Sequence, residues 1–299
     1  IARCLASVQW ADEIIVVDGM SQDRTRDICR QWGAQVVSHA FEGSFAQERN
    51  LGMEHARHEW VLQLDADDVV TSAFRDAVLQ LLARPQSHDA FKFRRKSYLM
   101  GRFMRYGGWY HYLPNLVRRE RVRYEGFVHE RPVIQGTIGQ LDADVEHHPC
   151  ENLAEFLNRH NRYTTLSAAE LSVRLGGLSE GQLRARLIRK PWKTFWKSYV
   201  KKQGFREGRH GLVFSLFFAG VELIKWAKVW VTPTDNGGAL IEAEGEDENP
   251  ELAEQNARQL MALINQNLAL ADTIGSILGG VLGVDAPKMV EKIELHAEG

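Results

Sequence analysis

Three cysteines, Cys4, Cys29 and Cys150, are all that the 299 residues contain, and no two form a Cys-x-x-Cys pair. An odd, widely spaced set argues against a disulfide framework or a zinc cluster and predicts a reduced compartment. Charge of one sign is also missing. With 37 basic against 39 acidic side chains the formal net charge is −2, so nothing attracts nucleic acid globally and no nucleic-acid partner is expected. The longest apolar stretch, 211–221, is too short to span a bilayer. At the first residues no charged segment leads into an apolar one, as a secretory signal would, and a cytoplasmic chain is the expectation. What is present, 44% hydrophobic and 25% charged residues, suffices for one large domain or a domain with appendages and excludes wholesale disorder.

The first hundred residues alternate strand and helix signals. Residues 13–18 form a continuous apolar run that ends in Asp18, as in a parallel strand covered on both faces. A helix is predicted over 21–32, with Asp23 in its first turn and Gly33 at its end. A short strand over 34–37, a helix over 45–56, a strand over 58–64 and a helix over 72–83 follow. That order predicts an α/β doubly wound sheet, in which ligands lie beyond the carboxyl ends of the strands. Asp18 and the group Asp65, Asp67 and Asp68 both fall there. Alternation along an extended chain puts Asp65 and Asp67 on one side, where two hard oxygen ligands suit Mg²⁺ or Mn²⁺. A solvated turn after a buried strand is the plainer account of the same residues.

Several motifs occur together in a familiar order. Ile14-Ile15-Val16-Val17-Asp18-Gly19-Met20-Ser21-Gln22-Asp23-Arg24-Thr25 is followed by Gln47-Glu48-Arg49-Asn50-Leu51-Gly52, by Leu64-Asp65-Ala66-Asp67-Asp68 and by Val128-His129-Glu130. Over 1–230 this set resembles the family 2 inverting glycosyltransferases, and most of all their lipopolysaccharide inner-core β-glucosyltransferase branch. The resemblance implies a GT-A fold, a Rossmann-like mixed sheet for a nucleotide sugar, followed by a helical region. It implies a UDP-sugar donor, a lipid-linked saccharide acceptor, and transfer of a hexose such as glucose. Asp18 would bind the nucleotide base, with Arg49 and Asn50 lining the same pocket. Asp67 would be the principal metal ligand, Asp65 would support the nucleotide sugar, and Glu130 would be the base that deprotonates the acceptor. Glu125 is a weaker rival for that role and His129 a support. His147, favoured over His148, would complete the metal's coordination. Trp109, in the aromatic and glycine-rich stretch 98–112, offers a wall on which a sugar ring could stack.

The family's proteins begin with a strand and an Asn-Glu-type turn ahead of the helix to which residues 1–5 would belong, so the chain is expected to lack one strand of the sheet. Asn115 stands where the family commonly has arginine. Residues 184–209 carry ten Lys or Arg against one acid, Glu207, interleaved with Trp192, Phe195, Trp196, Tyr199 and Phe205. That composition suits a helix lying on an anionic membrane surface, a nucleic-acid patch or a solvated basic face; the resemblance favours the inner membrane face, over 184–230. Residues 235–254 hold eight acids and no Lys or Arg. Three regions are thus expected: 1–150 for donor and acceptor, 151–232 helical and membrane-proximal, and 233–299 an acidic linker and helical tail, available for homo-oligomer formation. A nucleotidyltransferase on a similar acidic-ended sheet and a non-catalytic scaffold are the competing functional readings.

Overall fold

The computed structural model describes residues 1–41, 44–126, 130–175 and 178–231. They belong to one compact unit. The proposed tail 233–299, with its oligomer expectation, and His129 lie outside the described residues. In chain order the elements are α1 (Ala2–Ser7), β1 (Ile15–Asp18), α2 (Thr25–Gln31), β2 (Gln35–Ser38), α3 (Phe45–His55), β3 (Trp60–Leu62), β4 (Asp68–Val70), α4 (Ser72–Leu82), β5 (Ala90–Leu99), β6 (Arg102–Phe103), β7 (His111–Arg118), β8 (Val122–Glu125), β9 (Arg131–Ile134), β10 (Ile138–His147), α5 (Leu153–Leu175), α6 (Glu180–Trp196) and α7 (Arg209–Val231).

The fold is α/β with a mixed sheet in the order β3-β7-β5-β10-β4, where β5 and β10 run parallel and the other pairs are antiparallel. Helix α4 shows why the chain folds this way. Thr71 caps it by accepting the Phe74 amide at 3.1 Å, and Phe74 and Val78, four residues apart, point into the sheet. Phe74 meets Phe93 edge to face at 4.8 Å, and burying such a ring stabilises the domain by about 2–3 kcal/mol.

The expected α/β mixed sheet is present, and among the described residues its β1–β2 part is not hydrogen-bonded to the larger part. Strands β1 and β2 pair in parallel as a separate two-stranded sheet. The edges of β1 and β3 that pair with no strand among the described residues both border one cleft of about 1700 Å³. Short strands also stop sooner than expected: the run 58–64 is extended as β3 only over Trp60–Leu62.

Helices α5, α6 and α7 pack on one another through Ala168, Trp226 and Val229, with Leu183 and Leu187 of α6 against them. Ser179 and Gln182 form a reciprocal capping box that starts α6. Below α6 a π-helical turn, Lys197–Lys201, leads into the segment that grips residues 106–109. Gly107 donates its amide to the Lys202 carbonyl at 2.8 Å, and its carbonyl accepts from Ser198 Oγ at 3.1 Å. At Gly107, with φ +86°, a Cβ would come within 3.1 Å of the Phe214 ring, so only glycine fits. Trp109 then lies on Phe214 and Phe218 of α7.

Candidate active site

The three aspartates converge by a turn, which corrects the expectation of strand alternation. Past β3 the chain bends: the Asp68 amide donates to the Asp65 carbonyl at 3.0 Å, and the Asp65 amide donates to Asp68 Oδ2 at 2.9 Å. Asp68 thereby opens β4, opposite His147 of β10. Three carboxylates so close together would repel one another without cations. The chain supplies them as arginines. Arg95 of β5 donates to Asp65 at 2.5 Å and to Asp68 at 2.8 Å, Arg49 of α3 donates to Asp65 at 2.8 Å, and Arg159 of α5 donates to Asp67 at 2.5 Å.

Arg49 also donates through Nε to Glu130 at 2.8 Å, so one guanidinium joins the acid expected to act as base to the acid expected to face the donor. Its flat face lies 5.7 Å from the Tyr124 ring. The Tyr124 hydroxyl is buried without a hydrogen-bond partner among the described residues, and burial pushes it up to about 12.

Charges in this pocket respond to burial and to one another. Burial raises Asp68 to about 7; Arg95 opposes the shift and Asp65 adds to it. Burial works on Asp65 in the same sense, yet Arg49 and Arg95 outweigh it and hold that carboxyl well below its usual range. Burial and then the Arg95 charge lower His147 to about 4, which leaves its imidazole neutral near pH 7.

A divalent cation fits the residues present. Asp67 Oδ1 is buried and without a hydrogen-bond partner among the described residues, with His147 Nε2 at 3.5 Å and Arg95 Nη2 at 3.6 Å. Asp67, Asp68 and His147 can each offer a ligand atom, all within 4.8 Å of one another. Carboxylate oxygens with a neutral imidazole suit a hard or borderline divalent ion. Ser97 Oγ lies 3.1 Å from His147 Nδ1, on the far side of the ring from Asp67, so it can orient the imidazole. His148 turns the other way, toward Glu146 at 3.4 Å and stacked on Tyr98.

The remaining expected residues scatter. Asn50 exchanges two hydrogen bonds with the Tyr124 backbone, at 2.9 and 2.8 Å, which engages its amide in fixing β8 to α3. Asp18 is buried, accepts the Ser21 amide at 3.2 Å and lies 3.7 Å from Arg26; among the described residues it touches none of the acidic turn. Glu125 is exposed opposite Arg131 at the end of β8. Trp109 stands edge-on to His147 at 6.3 Å, at the rim of the cleft. Asn115 bonds the Gln63 backbone and holds the segment leading to the acids.

Sequence reasoning overlooked Arg95, Arg159 and Asp68 as site residues. Arg95 was legible: in the run 91–96 it falls on the phase of Phe91 and Phe93, the buried face, where an arginine needs carboxylates. Arg159 carries no such signal, because its role depends on how α5 packs.

Residues 1–134 match the family model for Glycosyl transferase family 2. The lipopolysaccharide core biosynthesis glycosyltransferase LpsC of Rhizobium meliloti is 24% identical over 250 residues, which cover 77% of this chain and 87% of that protein. An uncharacterised glycosyltransferase of Rickettsia prowazekii is 25% identical over 243 residues, 77% of this chain and 82% of its own. The solved structure of S. aureus TarS aligns with 83% of this chain and 88% of its own at 15% identity and a TM-score of 0.36, too slight a likeness to carry an argument. With the acidic turn, Arg49 and Glu130 all inside the matched stretch, the chain carries a family 2 glycosyltransferase domain.

Proposed function

We propose that the protein is a metal-dependent inverting glycosyltransferase that moves a hexose, glucose for preference, from a UDP-sugar to a lipid-linked saccharide such as the lipopolysaccharide inner core. The observation that carries the reading is the shared guanidinium of Arg49, which binds Asp65 on one side and Glu130 on the other. It sets a candidate base beside the candidate donor site, as a single displacement at the anomeric carbon requires. Glu130 takes the proton of the acceptor hydroxyl as that oxygen attacks, and the bond to the diphosphate breaks on the opposite face of the sugar. Arg49 fixes the orientation of Glu130. Asp67, Asp68 and His147 would hold Mg²⁺ or Mn²⁺, which would supply charge neutralisation of the departing diphosphate.

The similarity to LpsC supports the acceptor class. A location on the inner face of the cytoplasmic membrane is supported by α6. Ile188, Trp192 and Trp196, spaced four apart, are 73%, 64% and 46% exposed beside Arg189, Lys193 and Lys197, whereas Glu207, the one acid of residues 184–209, is buried. Exposed indoles next to ammonium groups suit an anionic lipid interface. No helix of the described residues is long and apolar enough to cross a membrane.

A donor screen by UDP release with Mn²⁺ tests the reading. The parent should turn over one nucleotide sugar, and Asp67→Ala and Glu130→Gln should lower release by about 10²-fold or more while keeping the native circular dichroism spectrum. A parent that binds no nucleotide sugar by calorimetry would sink the proposal.

A further inference from the structure

The three arginines of the acidic turn are not equivalent. Arg95 and Arg49 are 13% and 18% exposed and each reaches more than one carboxylate. Arg159 is 33% exposed and approaches from a helix outside the sheet. Its one short contact is Asp67 Oδ2, and Glu155, one turn earlier on α5, lies 3.7 Å away. Arg159 therefore holds the same carboxylate that the cation site needs, at the oxygen other than Oδ1, which has no hydrogen-bond partner among the described residues.

Resting on the glycosyltransferase reading above, we infer that Arg159 is a displaceable counter-ion: a divalent cation at Asp67, Asp68 and His147 releases its guanidinium, which then binds the diphosphate of the incoming nucleotide sugar. The charges support this exchange. Around the turn four carboxylates, Asp65, Asp67, Asp68 and Glu130, face three guanidinium groups. A further dication crowds the guanidinium at Asp67, and the least buried of the three, tied to one carboxylate of the turn, is the one that yields. Once released, Arg159 remains at the wall of the cleft that Asp65, Asp67 and Glu130 also line. A planar fork of donors facing a diphosphate forms paired, charge-assisted hydrogen bonds that carboxylates cannot offer. The same side chain thus balances Asp67 in the empty site and the phosphates in the filled one. Glu155 gives the guanidinium a second carboxylate to hold during the exchange.

This exchange predicts shifts of opposite sign, which a merely structural arginine would not produce. Calorimetry on the whole chain with Mn²⁺ alone, and with UDP in saturating Mn²⁺, provides the test. In Arg159→Ala the competitor for Asp67 is gone, so Mn²⁺ should bind roughly tenfold tighter, while UDP loses its guanidinium and should bind roughly tenfold weaker. Arg159→Lys should recover part of the UDP affinity, because a point charge replaces the fork incompletely. Thermal melts establish that the variants fold. If Arg159→Ala unfolds, Arg159→Gln, which keeps the aliphatic stem and loses the charge, should give the same pair of opposite shifts. A folded Arg159→Ala or Arg159→Gln protein in which Mn²⁺ binds no tighter, or UDP no weaker, overturns the inference and leaves the transferase reading standing. A parent that binds neither Mn²⁺ nor UDP overturns both.

Discussion

Arg94 and Arg95 are neighbours on β5, and they belong to different chemistries. Arg94 pairs with Asp144 across the parallel register of β5 and β10 at 2.8 Å, Tyr110 donates to the same carboxylate at 2.9 Å, and the tyrosine ring lies 5.6 Å beneath the guanidinium. Next to it Lys96 pairs with Glu146, which also accepts from Tyr98 at 2.9 Å. On this face Arg94 and Lys96 each have an acid and an aromatic support, and the groups are partly open to solvent. The opposite face, one residue along each strand, holds Arg95 and His147. There acids outnumber cations, one carboxylate oxygen has no hydrogen-bond partner among the described residues, and the imidazole is held neutral. Matched pairs fasten a sheet, whereas an unmatched, desolvated cluster keeps a capacity to bind.

The sharpest way to break this comparison is at Asp67. Asp67→Ala should lower UDP release by about 10²–10³-fold, the loss expected when a leaving-group charge is no longer stabilised, while Asp144→Ala on the other face should leave turnover within about twofold. Equal losses in the two variants would erase the distinction. Stability should separate the faces next. Arg95→Ala strands buried carboxylates and should cost about 3–5 kcal/mol in urea unfolding, against about 1 kcal/mol or less for Arg94→Ala, whose pair is partly exposed. Asn50→Ala should fall between them, costing about 1–3 kcal/mol through its two backbone hydrogen bonds to Tyr124, with donor affinity unchanged. A weakened UDP affinity in a stable Asn50→Ala protein would return Asn50 to the nucleotide pocket.

The smallest effect concerns acid. Burial alone would raise Glu146, but hydrogen bonds from Tyr98, His148 and Lys96 outweigh it and leave its carboxyl below the usual 4.5. The unfolded chain then binds more protons than the folded one between that lowered value and 4.5. The stability it contributes is present above pH 4.5 and lost as the pH falls through the lowered value. Glu146→Gln should therefore show a slightly shallower fall in melting temperature on acidification below pH 4.5. An unchanged slope would mean that the matched face adds nothing to acid sensitivity.

Element type was largely readable from sequence because the determinants are local. The helices expected over 45–56 and 72–83 form as α3 and α4, each ending one residue earlier, with Ser44 and Thr71 as their caps. Where the acids point was not readable from an alternating template, since a turn closed by Asp65 and Asp68 replaces the extended chain assumed over 65–67. Partner choice was equally hidden. Asp18 and Asn50 sit in motifs that suggest ligand contact, and the motifs gave no sign that each also bonds a backbone group, Asp18 at Ser21 and Asn50 at Tyr124. Arg159 comes from 92 positions beyond Asp67 in the chain, and only the packing of α5 brings it back.

The break between β1 and β3 shifts a task to the helices. Among the described residues the β1–β2 pair and the larger sheet share no strand pairing, and they are joined through α1, which packs on α2 and β4, and through α3, which packs on β1 and carries Arg49 to Asp65. Asp18 ends a strand of the first sheet and Asp65 follows a strand of the second. The spacing of the two acidic strand ends is therefore carried by helix packing rather than by a ladder of strand hydrogen bonds.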